Sequence, residues 1–286
     1  MSLNIKAFFD EPTFTVSYLV WDGATRAAAI IDPVLDYDPK SGRTSTRSAE
    51  ALLAAASQAD LKLHWILETH AHADHLSAGA WLRERTKARI VIGEHITQVQ
   101  KTFKALFNVP SQSVDGSDFD QLVSDGDRLE LGNLSIEVIH TPGHTPACVS
   151  YRIDDAVFVG DTLFMPDYGT ARADFPGGDA RTLYRSIRKL LALPPETRLF
   201  MCHDYKAPGR DTYAWETTVA AERQANVHVR DAITEDEFVR NRTARDRTLA
   251  MPVLIMPSVQ VNICAGKLPP PEANGISYLK IPLNAV

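Results

Sequence analysis

The sequence predicts an α/β fold, and three observations carry that prediction. The composition is that of an ordinary globular chain, with 286 residues, 44% hydrophobic and 23% charged. Short β-branched and aromatic runs alternate with Ala/Leu-rich stretches of helical period. Each half of the chain begins with strands and ends with helices, a pattern compatible with two sheets back to back and helices outside.

Taken in order, residues 13–21 alternate and read as a strand, and residues 26–31 read as a second strand after an Asp22-Gly23 turn. Residues 34–46 are polar, contain Pro39 and Gly42, and read as a loop. Residues 48–59 read as a helix and 61–67 as a buried strand that runs into a histidine-rich segment. A helix over 76–86, a strand over 89–92 and a helix over 96–107 follow. Residues 128–131 and 134–140 flank Gly132-Asn133 as a hairpin, and 149–153 and 156–159 flank Asp154-Asp155 as another. Residues 179–191 form an amphipathic helix closed by Pro194-Pro195, and residues 198–202 a strand that delivers His203. Thr234-Glu-Asp-Glu237 is a capping box ahead of a charged helix.

After Pro252 the chain is Pro-rich and irregular, with no composition break to mark a second domain. One domain is expected over residues 1–286, with 251–286 as a C-terminal extension. Val253, Leu254, Ile255, Val259, Val261 and Ile263 make that extension too apolar for a free tail, so it should pack on the core and shape the pocket or a homodimer contact.

Charge and cysteine usage narrow the function. Thirty Lys and Arg against 36 Asp and Glu leave a net charge of −6. With a pI near 5.8 the chain is a poor match for a polyphosphate backbone, so no nucleic-acid partner is expected. No run approaches the roughly 18 apolar residues that span a bilayer, and the opening residues lack an apolar signal core. Cys148, Cys202 and Cys264 are few, odd in number and far apart, which fits a reducing cytoplasm and no disulfide framework.

The sharpest feature is His70-x-His72-x-Asp74-His75, at the end of an expected strand. Crowded imidazoles and a carboxylate disfavour one another's charged states without a cation, and they are standard ligands for zinc and iron. His144, Asp161 and His203 each follow another expected strand, so one sheet edge can gather them. His64, His95, His140 and His228 lack such a setting and read as core or surface residues.

These motifs, in this order, resemble the metallo-β-lactamase superfamily over about residues 13–205. The resemblance implies a four-layer αββα sandwich with metal at one edge of the two sheets. Position 72 is His where flavodiiron proteins have Glu. Within the superfamily, Thr69-His-Ala-His-Ala-Asp-His-Leu-Ser-Ala-Gly79 and Thr141-Pro-Gly-His-Thr-Pro-Ala-Cys-Val-Ser-Tyr151 are similar to the persulfide dioxygenases. So are Phe158-Val-Gly-Asp-Thr-Leu163, Ala173-Asp-Phe175, Gly178-Asp179 and His203-Asp-Tyr205. The stretch from Met165 to Phe175 departs from that group by two extra residues; Arg172 aligns with its last arginine, and its earlier arginine has no counterpart.

The resemblance implies one Fe(II) per chain, held by His70, His144 and Asp161, with His72, Asp74, His75 and His203 as supporting groups or ligands of a second metal. It implies oxidation of glutathione persulfide by O2 to sulfite and glutathione, with Arg172 and Tyr205 as substrate contacts. The alternative is a glyoxalase II-like thioester hydrolase that uses Asp74, His75 and His203 to hold a second ion in a zinc or mixed dinuclear centre. A non-enzymatic binding module is a third class, and it would be expected to have lost ligands.

Overall fold

The computed structural model describes residues 2–285; Met1 and Val286, the ends of the expected domain, lie outside the described residues. The chain runs β1 (Leu3–Asp10), β2 (Thr15–Asp22), β3 (Ala27–Ile31), β4 (Val34–Asp38), β5 (Arg43–Ser45) and α1 (Arg47–Gln58). Then come β6 (Lys62–Leu67), β7 (Leu76–Ser77), α2 (Gly79–Thr86), β8 (Arg89–Gly93), α3 (Ile96–Phe107) and β9 (Gln121–Val123). The second half holds β10 (Arg128–Leu131), β11 (Leu134–His140), β12 (Val149–Ile153), β13 (Ala156–Phe158), a 3-10 turn (Gly160–Thr162), α4 (Ala180–Leu191) and β14 (Arg198–Phe200). It ends with β15 (Glu216–Thr218), α5 (Val219–Ala225), α6 (Glu235–Asp246) and α7 (Ile255–Asn262).

Two six-stranded sheets form the centre, ordered β1-β2-β3-β6-β8-β9 and β10-β11-β12-β13-β14-β15. Strand alternation decides the layering. Tyr18, Val20, Ile31 and Val91 of the first sheet meet Ile136, Tyr151, Phe158 and Phe200 of the second in one buried cluster. The opposite faces are covered as well. Leu19, Ile30, Ile66 and Ile90 pack with Leu52 of α1, Leu82 of α2, Phe103 of α3 and Val259 of α7. Val157, Leu199 and Met201 pack with Leu183 and Leu190 of α4 and Phe238 of α6. The result is the expected four-layer αββα metallo-β-lactamase sandwich.

The structure differs from the sequence reading at several edges. β1 precedes the first expected strand and points Leu3, Ile5, Ala7 and Phe9 at the inter-sheet core. The expected loop over 34–46 contains β4 and β5, because Val34 and Leu35 pair with β7 in a third, three-stranded sheet. β7 also takes the first two residues of the helix expected over 76–86. The expected helix over 96–107 is α3. The segment after Pro252 contains α7, which buries Ile255, Val259 and Val261, whereas Val253, Ile281 and Leu283 stay exposed. No helix among the described residues is long and apolar enough to cross a membrane.

Candidate metal centre

Four strand ends deliver the site. The histidine motif follows β6, His144 lies between β11 and β12, Asp161 follows β13 and His203 follows β14. The two sheets are tied at this edge: Val16 N donates to the Cys202 carbonyl at 2.7 Å and Thr15 bridges His203. Gly160, just before Asp161, has φ +52°, and a Cβ there would lie 2.7 Å from the Thr69 side chain. Only glycine lets these two loops approach so closely.

Hydrogen bonds set the tautomers. Thr69 Oγ1 donates to Asp32 Oδ2 at 2.9 Å, so it accepts from His70 Nδ1 at 3.0 Å. His144 Nδ1 donates to the Arg172 carbonyl at 2.8 Å, and His203 Nδ1 to the Phe14 carbonyl at 3.3 Å. His72 Nε2 donates to Asp32 Oδ1 at 3.0 Å, and His75 Nδ1 lies 3.3 Å from Thr15 Oγ1. In His70, His144 and His203 the other nitrogen, Nε2, is left with its lone pair.

Six buried atoms here lack a hydrogen-bond partner among the described residues: His70 Nε2, His72 Nδ1, Asp74 Oδ2, His75 Nε2, Asp161 Oδ1 and His203 Nε2. Potential ligand atoms within 4.8 Å of one another form four overlapping groups: His70, His144 and Asp161; His72, Asp74, His75 and His203; Asp32, His72 and Cys202; and Asp161, Cys202 and His203. Asp161 stands between the first two. Its Oδ2 is 3.6 Å from His144 Nε2 and 4.0 Å from His70 Nε2, while its Oδ1 is 3.3 Å from His203 Nε2. The structure therefore brings together all seven predicted metal-site residues, and these clusters are able to coordinate a metal ion.

The electrostatics of His70 and His75 agree with metal chemistry. Burial, and then the surrounding imidazoles, push the His70 pKa well below its usual value. Burial and His72 lower His75 as well. Both rings are thus neutral at ordinary pH, the form a metal needs. Burial opposes the Asp74 carboxylate, but the His203 and His75 imidazoles outweigh it and hold Asp74 below the usual carboxylate range. Burial likewise opposes charge on His72, but Asp32 and then Glu68 raise its pKa well above the usual value.

A cavity of about 470 Å3 opens onto this edge, with Asp74, His144 and Asp161 at its floor. Tyr205 lines its wall, where burial and then Asp74 push the phenol pKa well up, so it keeps its proton. Arg172 also lines the cavity, yet its donors are engaged within the chain. Nε and Nη2 grip Asp174 at 2.6 and 2.8 Å, and Nη1 reaches the Ala250 carbonyl at 2.8 Å. Exposed Arg245 lies on the same wall and forms no ion pair among the described residues.

Asp32, Asn262 and Arg245 belong to this neighbourhood without standing out in the sequence, and Thr69 stands out there only as the start of the histidine motif. Asp32 carried the one visible signal, an Asp-Pro closing a strand, which reads as a turn until the fold folds it under the motif. Asp32 is 2% exposed and adopts φ +48° there.

Comparison with known proteins places these observations. The sequence profile of the Metallo-beta-lactamase superfamily matches residues 10–203. A probable metallo-hydrolase of Burkholderia pseudomallei is 58% identical, over 99% of this chain and 100% of the relative. Glyoxylase B2 of Dictyostelium discoideum is 50% identical, over 98% and 97%. The mitochondrial persulfide dioxygenase ETHE1 of Homo sapiens is 28% identical, over 82% and 79%. Among solved structures, ETHE1 from Myxococcus xanthus superposes with a TM-score of 0.74 at 34% identity, covering 92% of this chain and 100% of that one. With the sandwich, the strand-end ligands and the profile in agreement, this chain belongs to the metallo-β-lactamase superfamily.

Proposed function

We propose that the protein is a metal-dependent hydrolase of thioesters built on glutathione, with a dinuclear centre. One observation carries this reading: the second ligand group. A lone ion at His70, His144 and Asp161 leaves His75 Nε2, His203 Nε2 and Asp74 Oδ2 buried and unpartnered. Each such atom costs about 1–3 kcal/mol. A second cation held by Asp74, His75 and His203 would remove that cost, and imidazole with carboxylate is a donor set that zinc and iron both accept. His72 would be a further ligand through Nδ1. The names of the relatives at 58% and 50% identity support hydrolysis over the dioxygenase expectation, whose name comes with a relative at 28%.

Bound metal supplies a Lewis acid for the thioester carbonyl and lowers the pKa of a bound water. The chain's own residues do the rest. Asp74 would hold the second ion through Oδ2, the buried oxygen that lacks a hydrogen-bond partner among the described residues. Tyr205, protonated on the wall, donates a hydrogen bond to the substrate. Arg245 offers its guanidinium to a glutathione carboxylate at the mouth. The C–S bond breaks, water supplies OH to the acyl carbon, and the proton goes to the departing thiolate.

A second reading is the persulfide dioxygenase, with one Fe(II) on His70, His144 and Asp161. It is supported by the full-length likeness to the Myxococcus xanthus protein. Three protein ligands on one face leave positions open, a geometry suited to oxygen chemistry. Persulfide, O2 and water would give the thiol, sulfite and protons. Side-by-side assays separate the two. The hydrolase releases glutathione from S-lactoylglutathione without oxygen. Oxygen uptake and sulfite with glutathione persulfide, and no thioester hydrolysis, would replace the first reading by the second.

A further inference from the structure

The histidine motif is clamped by a residue beyond the part of the chain that the family profile matches. Asn262 ends α7, is 4% exposed, and uses its whole side chain on one loop. Its Nδ2 donates to the carbonyls of His72 at 2.8 Å and His75 at 2.7 Å. Its Oδ1 accepts from Ser77 N at 2.7 Å. Carbonyls only accept and a backbone N–H only donates, so these partners fix the amide's orientation.

The neighbouring contacts leave no slack. Gly266, in the turn after α7, has φ +81°, and a Cβ there would lie 2.7 Å from the Ser77 carbonyl and 3.1 Å from Gly79 N. Ser77 Oγ donates to Glu68 Oε1 at 2.5 Å, and the other Glu68 oxygen is 3.6 Å from His72 Nε2. Asn262 thus reaches both ends of the turn that carries His72, Asp74 and His75, and Ser77 relays it to the carboxylate behind His72.

We infer that Asn262 is a positioning residue for the metal centre, setting where His72 and His75 present their free nitrogens. The inference rests on the reading that these two histidines are ligands. Helix α7 has anchors of its own that do not touch the motif. Gln100 Nε2 donates to the Ile263 carbonyl at 2.9 Å, and Gln260 exchanges two bonds of 2.9 Å with the backbone of Lys280. Losing Asn262 therefore differs from losing the helix.

The test titrates Zn2+ into metal-stripped full-length protein against a chromophoric chelator, alongside thermal melting of the metal-free form. Asn262→Ala should bind zinc about 10–100-fold more weakly, the usual effect of removing a group that orients ligands. Asn262→Asp keeps an acceptor for Ser77 N but sets an oxygen against two carbonyls, so it should weaken zinc at least as much. It decides the question if Asn262→Ala does not fold. Gln260→Ala should lower the melting temperature and leave zinc affinity at the parental value. Parental zinc affinity in both Asn262 variants overturns the inference alone, and so does equal weakening by Gln260→Ala. A parent that binds no zinc overturns both the inference and the metal reading beneath it.

Discussion

His144 Nδ1 donates to the backbone carbonyl of Arg172 at 2.8 Å, so the ring is oriented by the peptide of that residue and not by its charge. The Arg172 side chain instead braces the cavity wall, through Asp174 and the Ala250 carbonyl. Arg172→Ala keeps the carbonyl, so bound metal should be unchanged. Loss of the brace should lower stability by about 1–2 kcal/mol, since hydrogen bonds to charged groups are worth about 1.5–3 kcal/mol and Asp174 is partly in water. KM should rise as the wall loosens. Thermal melting beside steady-state kinetics checks this; a raised KM with an unchanged melting temperature would make Arg172 a direct substrate contact.

Arg245 is the cation at the mouth that no carboxylate of the chain engages among the described residues. Arg245→Ala should raise KM for S-lactoylglutathione about tenfold, the lower end for a charge-assisted contact at an exposed site. Metal content and kcat should hold. A thioester whose thiol lacks carboxylates should show no change, and an equal change would refute the assignment.

Burial raises the pKa of Glu222 to about 8, partly offset by the hydrogen bond from Asn226. The folded state thus holds a proton that the unfolded chain releases near its ordinary value of 4.5. Stability from this group is complete below about pH 4.5 and is lost as pH rises toward 8. Glu222→Gln, which cannot ionise, should flatten the fall in melting temperature over that window. Parallel curves for parent and variant would show that Glu222 is not buried as a neutral acid.

The candidate metal-site residues stood out because each combines a rare residue type with the end of an apolar strand, as His70 does after β6 and Asp161 after β13. The layers were legible in outline, because strands such as β3 are apolar on both faces and must be covered twice. What escaped were the groups that act through partners far along the chain. Asp32 reaches His72 across 40 residues and Asn262 reaches it across 190, and neither spacing leaves a local pattern. β4 escaped because Pro39 and Gly42 mark a turn, while the partner that makes Val34 and Leu35 a strand is β7, which lies beyond the histidine motif. The bracing contacts of Arg172 escaped for a related reason. A sequence displays its charge but not Asp174 and Ala250 closing around it.

Two ions per chain are proposed, one on the His70, His144 and Asp161 group and one on the Asp74, His75 and His203 group. Elemental analysis of metals bound per chain tests it most directly, on the parent and on His203→Ala. Two ions are expected in the parent and one in His203→Ala, with His70→Ala and His144→Ala depleting the other position. One ion per chain in the parent, unchanged in His203→Ala, would contradict it and leave the single-iron dioxygenase as the reading of this site.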